Sequence, residues 1–478
     1  SDVFPQNSER VEKQKKCPLT VIIGNPPYSI GQKSSNDNAQ NQKYEKLDSK
    51  IADTYAKYSR ANLNRGLYDS YIKAFRWSTD RLNSNGGVIA FVSNGSWLDT
   101  NGMDGFRQCL EQEFDSIYVY NLRGNARTSG EQRRKEKGNV FGEGSRTPIS
   151  ITVLIKNPKK HNEKAEIYYH NIGDYLSREE KLDIIKKVGS VMSKKFEPIV
   201  LKPNEHNDWL NQRNEIFGSF TPIEPDKKFN KNASSIFATN IVGSVSGRDC
   251  WSYNYSKEIL KYNISSMIEF YNKQRFLYQD AKSQNSLLKV EDFIDSNPTR
   301  ISWTRGLKNH VARNIEHSIK LKDLICGYYR PFCVQNFYYD TNFIESPGLC
   351  KQIFPSNFEN YSIVVSGTAT NKDFSTLISN KTIDFSLLGI SQCFPLYWYE
   401  EKDKGNSKQQ SLFGNEDTDD KYIRHDGITD FIHQQAKEKY GHKVTKEDIF
   451  YYVYGILHSE DYRTKFAANL KKMLPRIP

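Results

Sequence analysis

Between Leu19 and Asn157, short apolar runs alternate with helix-periodic segments, and that alternation restricts this part of the chain to an open α/β sheet. "LTVIIGN" (19–25) reads as a short buried strand. "LYDSYIKAFRWSTDRL" puts Leu67, Tyr71, Ala74, Phe75 and Leu82 on roughly one helical face, and "MDGFRQCLEQEF" repeats the spacing with Phe106, Leu110 and Phe114. "GGVIAFVSN" (86–94) and "SIYVYNL" (116–122) read as further buried strands. "PISITVLIKN" alternates strictly, with Ile149, Ile151, Val153 and Ile155 on one face, as expected of a half-exposed antiparallel strand at a sheet edge. Together these runs make one half of an open sheet. Ligands of such sheets sit beyond the carboxyl ends of the strands, which is where Asn25 falls.

The first strand leads directly into Asn25-Pro26-Pro27-Tyr28. The prolines fix φ and remove backbone donors, so the Pro26 carbonyl stays aimed. With the Asn25 side-chain oxygen it offers two hydrogen-bond acceptors. An exocyclic amine conjugated into a ring, such as that of adenine, is a poor nucleophile. Two acceptors on its N–H groups draw the nitrogen toward tetrahedral geometry and stabilise the charge it develops on attack. Tyr28 adds a flat face on which a base drawn out of a duplex can stack, offsetting an extrusion cost of a few kcal/mol. Asn-Pro-Pro-Tyr also occurs as an ordinary turn, but its place at the end of a β-branched strand favours the chemical reading. A Ser at position 25 would have pointed to cytosine N4. Asn points to adenine N6 or to another planar, amide-like nitrogen.

At 478 residues the chain is too long for one core. Two polar stretches, 31–65 and 123–147, are expected to be mobile loops on the ligand side of the sheet. The second holds seven basic residues against three glutamates, a local +4. The half-sheet is assigned to 1–172, a linker to 173–215, an α+β domain to 216–425 and a helical tail to 426–478. In the tail, Thr445 with Asp448 forms a capping-box pattern and Ser459 caps a second helix. The net charge of +11 fits a nucleic-acid partner, although charge alone also fits a merely basic soluble protein. The seven cysteines include no Cys-x-x-Cys pair, and His161, His170, His425 and His442 show no ligand spacing, so no metal site is expected. No apolar run approaches membrane-spanning length, and a cytoplasmic location is expected. The chain starts on Ser rather than Met, which suggests a piece of something longer.

The corner and its surroundings resemble the amino-methyltransferases that use S-adenosylmethionine (AdoMet) and carry an (Asp/Asn/Ser)-Pro-Pro-(Tyr/Phe) motif. The likeness extends through "GVIAFVSNGSWLDTNGMDGFR", "TPISITVLIKNP", "YRPF", "SQCFPLYWYE" and "IFYYVYGILHSEDYRTKFAANLKKMLPRIP". Over nearly the whole chain the sequence is similar to the carboxyl-terminal part of Type ISP restriction-modification enzymes of prokaryotes. The resemblance implies the second half of a Rossmann-like, AdoMet-dependent N6-adenine methyltransferase sheet, followed by a target-recognition domain for double-stranded DNA. It further implies a monomeric parent polypeptide bearing an upstream nuclease, a helicase-type ATPase that uses ATP and Mg, and the AdoMet-binding part of the methylase. The sequence departs from the family in one respect, since no Gly-rich AdoMet loop follows a strand here. "GNVFGEGSR" (138–146) has the glycines without a preceding apolar strand or a following helix, and is read as unrelated. AdoMet is therefore expected to be bound mainly by residues upstream, leaving this piece inactive alone.

Candidate DNA contacts are Arg123, Arg127, Arg133 and Arg134 in the basic stretch. Others are Arg305, Lys308 and Arg313 in "WTRGLKNHVARN", Tyr329 and Arg330 in "YYRPF", and Asn371 and Lys372 in "SGTATNKDF". The plainer alternatives are that Arg330, ahead of Pro331 and Phe332, braces a core, and that a basic helix face is merely solvated. Two other functions compete with DNA-adenine methylation: methylation of a protein glutamine amide through the same corner, and a non-catalytic DNA specificity module.

Overall fold

Each apolar run of the first third forms a strand and each helix-periodic segment a helix in the computed structural model, which describes residues 5–28, 43–61, 64–82, 86–159, 163–355, 358–368, 372–402 and 421–478. The chain divides into two units, Ser1–Arg213 and Asn214–Pro478. The first contains α1 (Pro5–Lys16), β1 (Val21–Gly24), α2 (Glu45–Ile51), α3 (Ser70–Arg81), β2 (Gly87–Asn94) and α4 (Asp104–Glu113). These are followed by β3 (Ser116–Arg123), α5 (Gly130–Glu136), β4 (Ile149–Lys156), β5 (Glu166–Asn171), α6 (Arg178–Val188) and β6 (Ile199–Leu201). The sheet order is β1-β2-β4-β3-β5-β6. β1 runs parallel to β2, and β3 to β5, while β4 is antiparallel to both β2 and β3. The carboxyl ends of β1, β2, β3 and β5 therefore share one rim of the sheet.

The strand at 149–156 is antiparallel, as its pattern indicated, but it is not an edge. It is inserted between β2 and β3, and the antiparallel edge strand is β6. Its alternation also misleads about depth. Ser150 and Thr152 are fully buried, whereas Ile151, Val153 and Ile155 are half-buried. The turn after β2 explains the small residue: a Cβ on Gly95 would lie 3.3 Å from the Ser150 Cβ, so nothing bulky fits beneath it.

One face of the sheet is covered by α3 and α4 through an aromatic cluster. Phe75 lies 5.0 Å from Phe91 and 5.3 Å from Phe106, and Trp97 lies 5.3 Å from Phe106 and 5.2 Å from Trp209, ring to ring. Edge-to-face contacts of this kind add to a burial worth roughly 1.5–3 kcal/mol per side chain.

Of residues 173–215, expected as linker, those up to Arg213 are built into this unit. β6 pairs with β5, and a Ser177–Glu180 capping box starts α6. Trp209 is 1% exposed and donates to the Glu111 carboxylate at 2.7 Å. The buried Arg107 guanidinium donates to the carbonyls of Trp97, Thr100 and Asn207 at 2.7, 2.9 and 2.6 Å. Burial lowers its pKa to about 10 against the opposing pull of Asp208. The stretch expected as a loop at 31–65 is likewise partly helical. α2 and the turn Ala52–Ala56 put Ile51 and Tyr55 in the core, while residues 31–42, 62 and 63 lie outside the described ones.

The second unit is α+β, as expected. One sheet orders Thr382–Ile383, Leu324–Arg330, Cys333–Tyr338 and Tyr253–Asn254, and another Thr376–Ser379, Ser362–Val365, Gln392–Pro395 and Ile241–Val242. A 28-residue helix, Lys257–Gln284, adds its own core of Leu260, Ile264, Met267 and Tyr271. The tail is helical and carries the Thr445–Asp448 capping box and the Ser459 cap. Its Phe450, Val453 and Leu457 share a core with Phe237, Ile363 and Phe394, whereas Tyr440, Tyr451 and Tyr452 are exposed. The expected boundary at 425/426 falls within the strand Tyr422–Asp426 and marks no division. The last strand, Arg476–Ile477, pairs back onto Thr221–Pro222. Among the described residues, no helix is long and apolar enough to cross a membrane.

Candidate active site

β1 lies at one end of the sheet, and the corner leaves its carboxyl end. Gly24 is closely covered, since a Cβ there would lie 3.2 Å from the Phe91 ring. Beyond it Asn25 is exposed, Pro26 buried, Pro27 exposed and Tyr28 half-buried. The Tyr28 ring meets Tyr71 of α3 edge-on, with centroids 6.3 Å apart and planes at 87°. Its hydroxyl faces Ser145, and burial, outweighing the influence of that residue, raises the phenol pKa. Ser145 Oγ is in turn 3.3 Å from Thr147 Oγ1. The basic stretch 123–147 thus touches the corner at Tyr28, on the rim shared by the strand ends. Asn94, which ends β2 on the same rim, accepts from the Ser96 N–H at 2.9 Å and caps the following turn.

That stretch is folded and not an open loop. A register shift after Asn121 leaves Arg123 at φ 57°, where its guanidinium reaches Glu136 at 3.2 Å and Asp174 at 3.1 Å. Glu136 also accepts from the Asn125 N–H and the Gln132 amide, both at 3.0 Å. Lys181 Nζ donates to the carbonyls of Glu136 and Gly138 at 3.0 and 2.6 Å, and burial lowers its pKa to about 8. Arg123 is therefore part of a brace, and its charge is spent on internal carboxylates. Arg133 donates to the Lys137 carbonyl at 2.7 Å, and Arg134, 78% exposed, pairs with Glu131 at 3.2 Å. Arg127 is exposed with no ion-pair partner among the described residues. The glycine-rich segment 138–146 follows a helix and precedes β4. A Cβ on Gly138 would lie 2.4 Å from the Arg178 backbone nitrogen, so this glycine admits the start of α6.

In the second unit Arg305 is exposed and Lys308 half-buried on the helix Arg305–Ala312, with Arg313 exposed just after it. None of the three has an ion-pair partner among the described residues. Tyr329 and Arg330 are not presented outward in the same way. Arg330 stacks on Tyr329 with 3.9 Å to the ring centroid, donates to Asp384 at 2.8 Å and lies 3.6 Å from Asp249. Tyr329 lies 4.7 Å from the Tyr253 ring and donates to Asp249 at 3.3 Å. The bracing alternative describes this pair. Asn371 lies outside the described residues, and Lys372 beside it is exposed. Phe332, two residues on from Arg330, is 96% exposed, although an apolar residue after Arg-Pro reads as core in the sequence.

The half-sheet and its corner define a DNA methylase portion joined to a separate α+β unit. Residues 4–126 match the Eco57I restriction-modification methylase, and residues 235–478 the Type ISP C-terminal specificity domain. The chain belongs to the Type ISP restriction-modification enzymes. It is similar over 100% of its length to a nuclease-deletion mutant of the Type ISP enzyme LlaGI in complex with a DNA substrate mimic, at 37% identity and a TM-score of 0.80. ATP-dependent Type ISP LlaBIII bound to DNA gives 34% identity and 0.82 over 100% of this chain. A DrdV–DNA complex gives 31% and 0.80 over 99%. The chain spans 35%, 30% and 43% of these proteins, respectively. No curated protein matches it.

Proposed function

We propose that this chain supplies the target-base corner and the DNA-reading unit of an AdoMet-dependent N6-adenine DNA methyltransferase within a restriction-modification enzyme. The observation that carries this reading is the Asn-Pro-Pro-Tyr corner at the carboxyl end of β1, with Tyr28 packed edge-on against Tyr71 and facing Ser145 of the basic stretch. The adenine leaves the duplex and stacks on Tyr28. Asn25 Oδ1 and the Pro26 carbonyl accept its two N6 hydrogens, which localises the nitrogen lone pair and stabilises the positive charge it acquires on methylation. Once methylated, the nitrogen is acidic enough to release its proton to solvent, so no strong base is required.

AdoMet is the methyl donor the methylase family implies. The glycine-rich segment 138–146 does not fit it, because it runs from a helix into β4, the reverse of the strand–glycines–helix order of such cofactor loops, so no step is assigned to donor-binding residues here. Arg127, Arg133, Arg134, Arg305, Lys308, Arg313 and Lys372 neutralise phosphates, and nuclease and ATP-driven translocase functions belong to other parts of the enzyme. The specificity-domain match over 235–478 favours DNA over a protein glutamine amide as acceptor. The test is to map modified bases in cells expressing the gene that encodes this chain. N6-methyladenine confined to one short sequence context is the expected result. Methylcytosine in its place, or no modified base, overturns the reading.

A further inference from the structure

We infer that Phe332 is a wedge that enters the base stack of the recognised duplex, an inference that rests on the DNA-reading role proposed above. The strands Leu324–Arg330 and Cys333–Tyr338 form an antiparallel hairpin joined by Pro331 and Phe332. Phe332 is 96% exposed, more than any other large apolar side chain among the described residues. Its φ is 60°, in the left-handed region. Pro at the first central position followed by positive φ at the second is the pattern of a type II turn, whose second position normally takes Gly or Asn. The chain thus places a large ring where a Cβ is itself unfavourable, and gains no packing from it.

The base of this hairpin is rigid. The register shifts between Tyr328 and Arg330, leaving Tyr329 as an extra residue that turns sideways onto Tyr253. Tyr253 is stacked on Phe337 with centroids 4.2 Å apart and planes at 2°. Arg330 is held on Tyr329 and clamped to Asp384, which is 4% exposed. Beside the tip, the Tyr255 hydroxyl lies 3.2 Å from Cys333 Sγ, and this second aromatic is 74% exposed. Lys257 and Lys261, both exposed, open the helix that follows Tyr255, with exposed Glu258 between them. A single ring held out on a braced, strained turn suits a slot of its own thickness. A base step offers that slot, and apolar side chains that unstack a step are an established way of bending DNA.

The experiment uses the full-length enzyme and a duplex carrying its mapped methylation site, with 2-aminopurine placed at each position in turn. Wild type is expected to brighten at the methylated adenine and at a second step. Phe332→Gly should abolish the second signal alone and weaken binding about tenfold, while methylation at saturating DNA keeps its rate and Phe332→Trp restores the signal. Tyr28→Ala should dim only the first. Gly suits the positive φ, so the thermal midpoint should hold or rise. An unchanged second signal and affinity in Phe332→Gly overturn the wedge. So does a lowered midpoint with unchanged DNA binding, which would place the ring, with exposed Ile259 and Tyr262, against another part of the polypeptide. A wild type silent at the adenine as well fails the methylation reading first.

Discussion

The roles proposed for Asn25 and Tyr28 rest on chemistry that is local in the sequence: two acceptors and a ring held within four consecutive residues by two prolines. What they lean on was not legible. Tyr28 meets Tyr71 and Ser145, which are 43 and 117 positions away in the chain, and only folding makes them neighbours. The arginines show the same limit more sharply. Arg123 and Arg330 drew attention through their charge, yet the partners that occupy them, Glu136, Asp174, Asp249 and Asp384, are unmarked in sequence. If the Tyr28 ring is what the base stacks on, Tyr28→Phe should keep methylation within a few-fold of wild type, since it loses only the hydroxyl. Tyr28→Ala should lower kcat/KM about ten- to a hundredfold, as expected for losing one aromatic–base stack. Steady-state methylation of a mapped duplex measures both.

Two elements carry separable predictions. Within the basic stretch, Arg123→Ala strands a buried carboxylate and should cost about 3–5 kcal/mol of stability in a denaturant melt. Arg127→Ala should leave the melt unchanged, weaken DNA binding across all sequences and reduce the slope of log affinity against log salt by about 1. Equal effects of the two on DNA binding, with no loss of stability in the first, would contradict the brace. In the second unit, His310 Nδ1 lies 3.0 Å from Nε2 of the buried His317. Burial, with the neighbouring His310 adding to it, lowers the His317 pKa to about 4. The unfolded chain binds that proton near pH 6.5 and the folded one only near 4, so stability is full above about 6.5 and is lost as the pH falls to about 4. The loss should reach about 3 kcal/mol, and His317→Phe should flatten it in melts at a series of pH values.

At the scale of the whole molecule, the alternation of strands and helices announced the half-sheet, while the position of β4 and the extent of the unit stayed hidden. A strand inserted between two earlier ones carries no sequence mark of its place, and Ser150 and Thr152 look like an outer face although they are buried. The supposed linker gave no warning because it contributes single anchors, Trp209 and Asp208, to a core that other segments define. The same logic sets the limits of the second unit. Phe217 and Ile223 are buried in the core that holds the tail, and Thr221–Pro222 pairs with the last strand. A fragment of residues 214–478 should therefore melt cooperatively. One cut at the family boundary, 235–478, should lose roughly 3–6 kcal/mol of burial and melt about 10 °C lower or more. Equal midpoints would show that residues 214–234 are dispensable.

The central claim, that the corner after β1 holds an adenine for methylation, is tested most directly by mass spectrometry of genomic nucleosides. Cells expressing the gene that encodes this chain would be compared with cells expressing its Asn25→Ala version at matched protein levels. The account predicts N6-methyladenine with Asn25 and none with Ala. N6-methyladenine undiminished in the Ala version would contradict the role given to the corner, and its absence from both would contradict the choice of adenine.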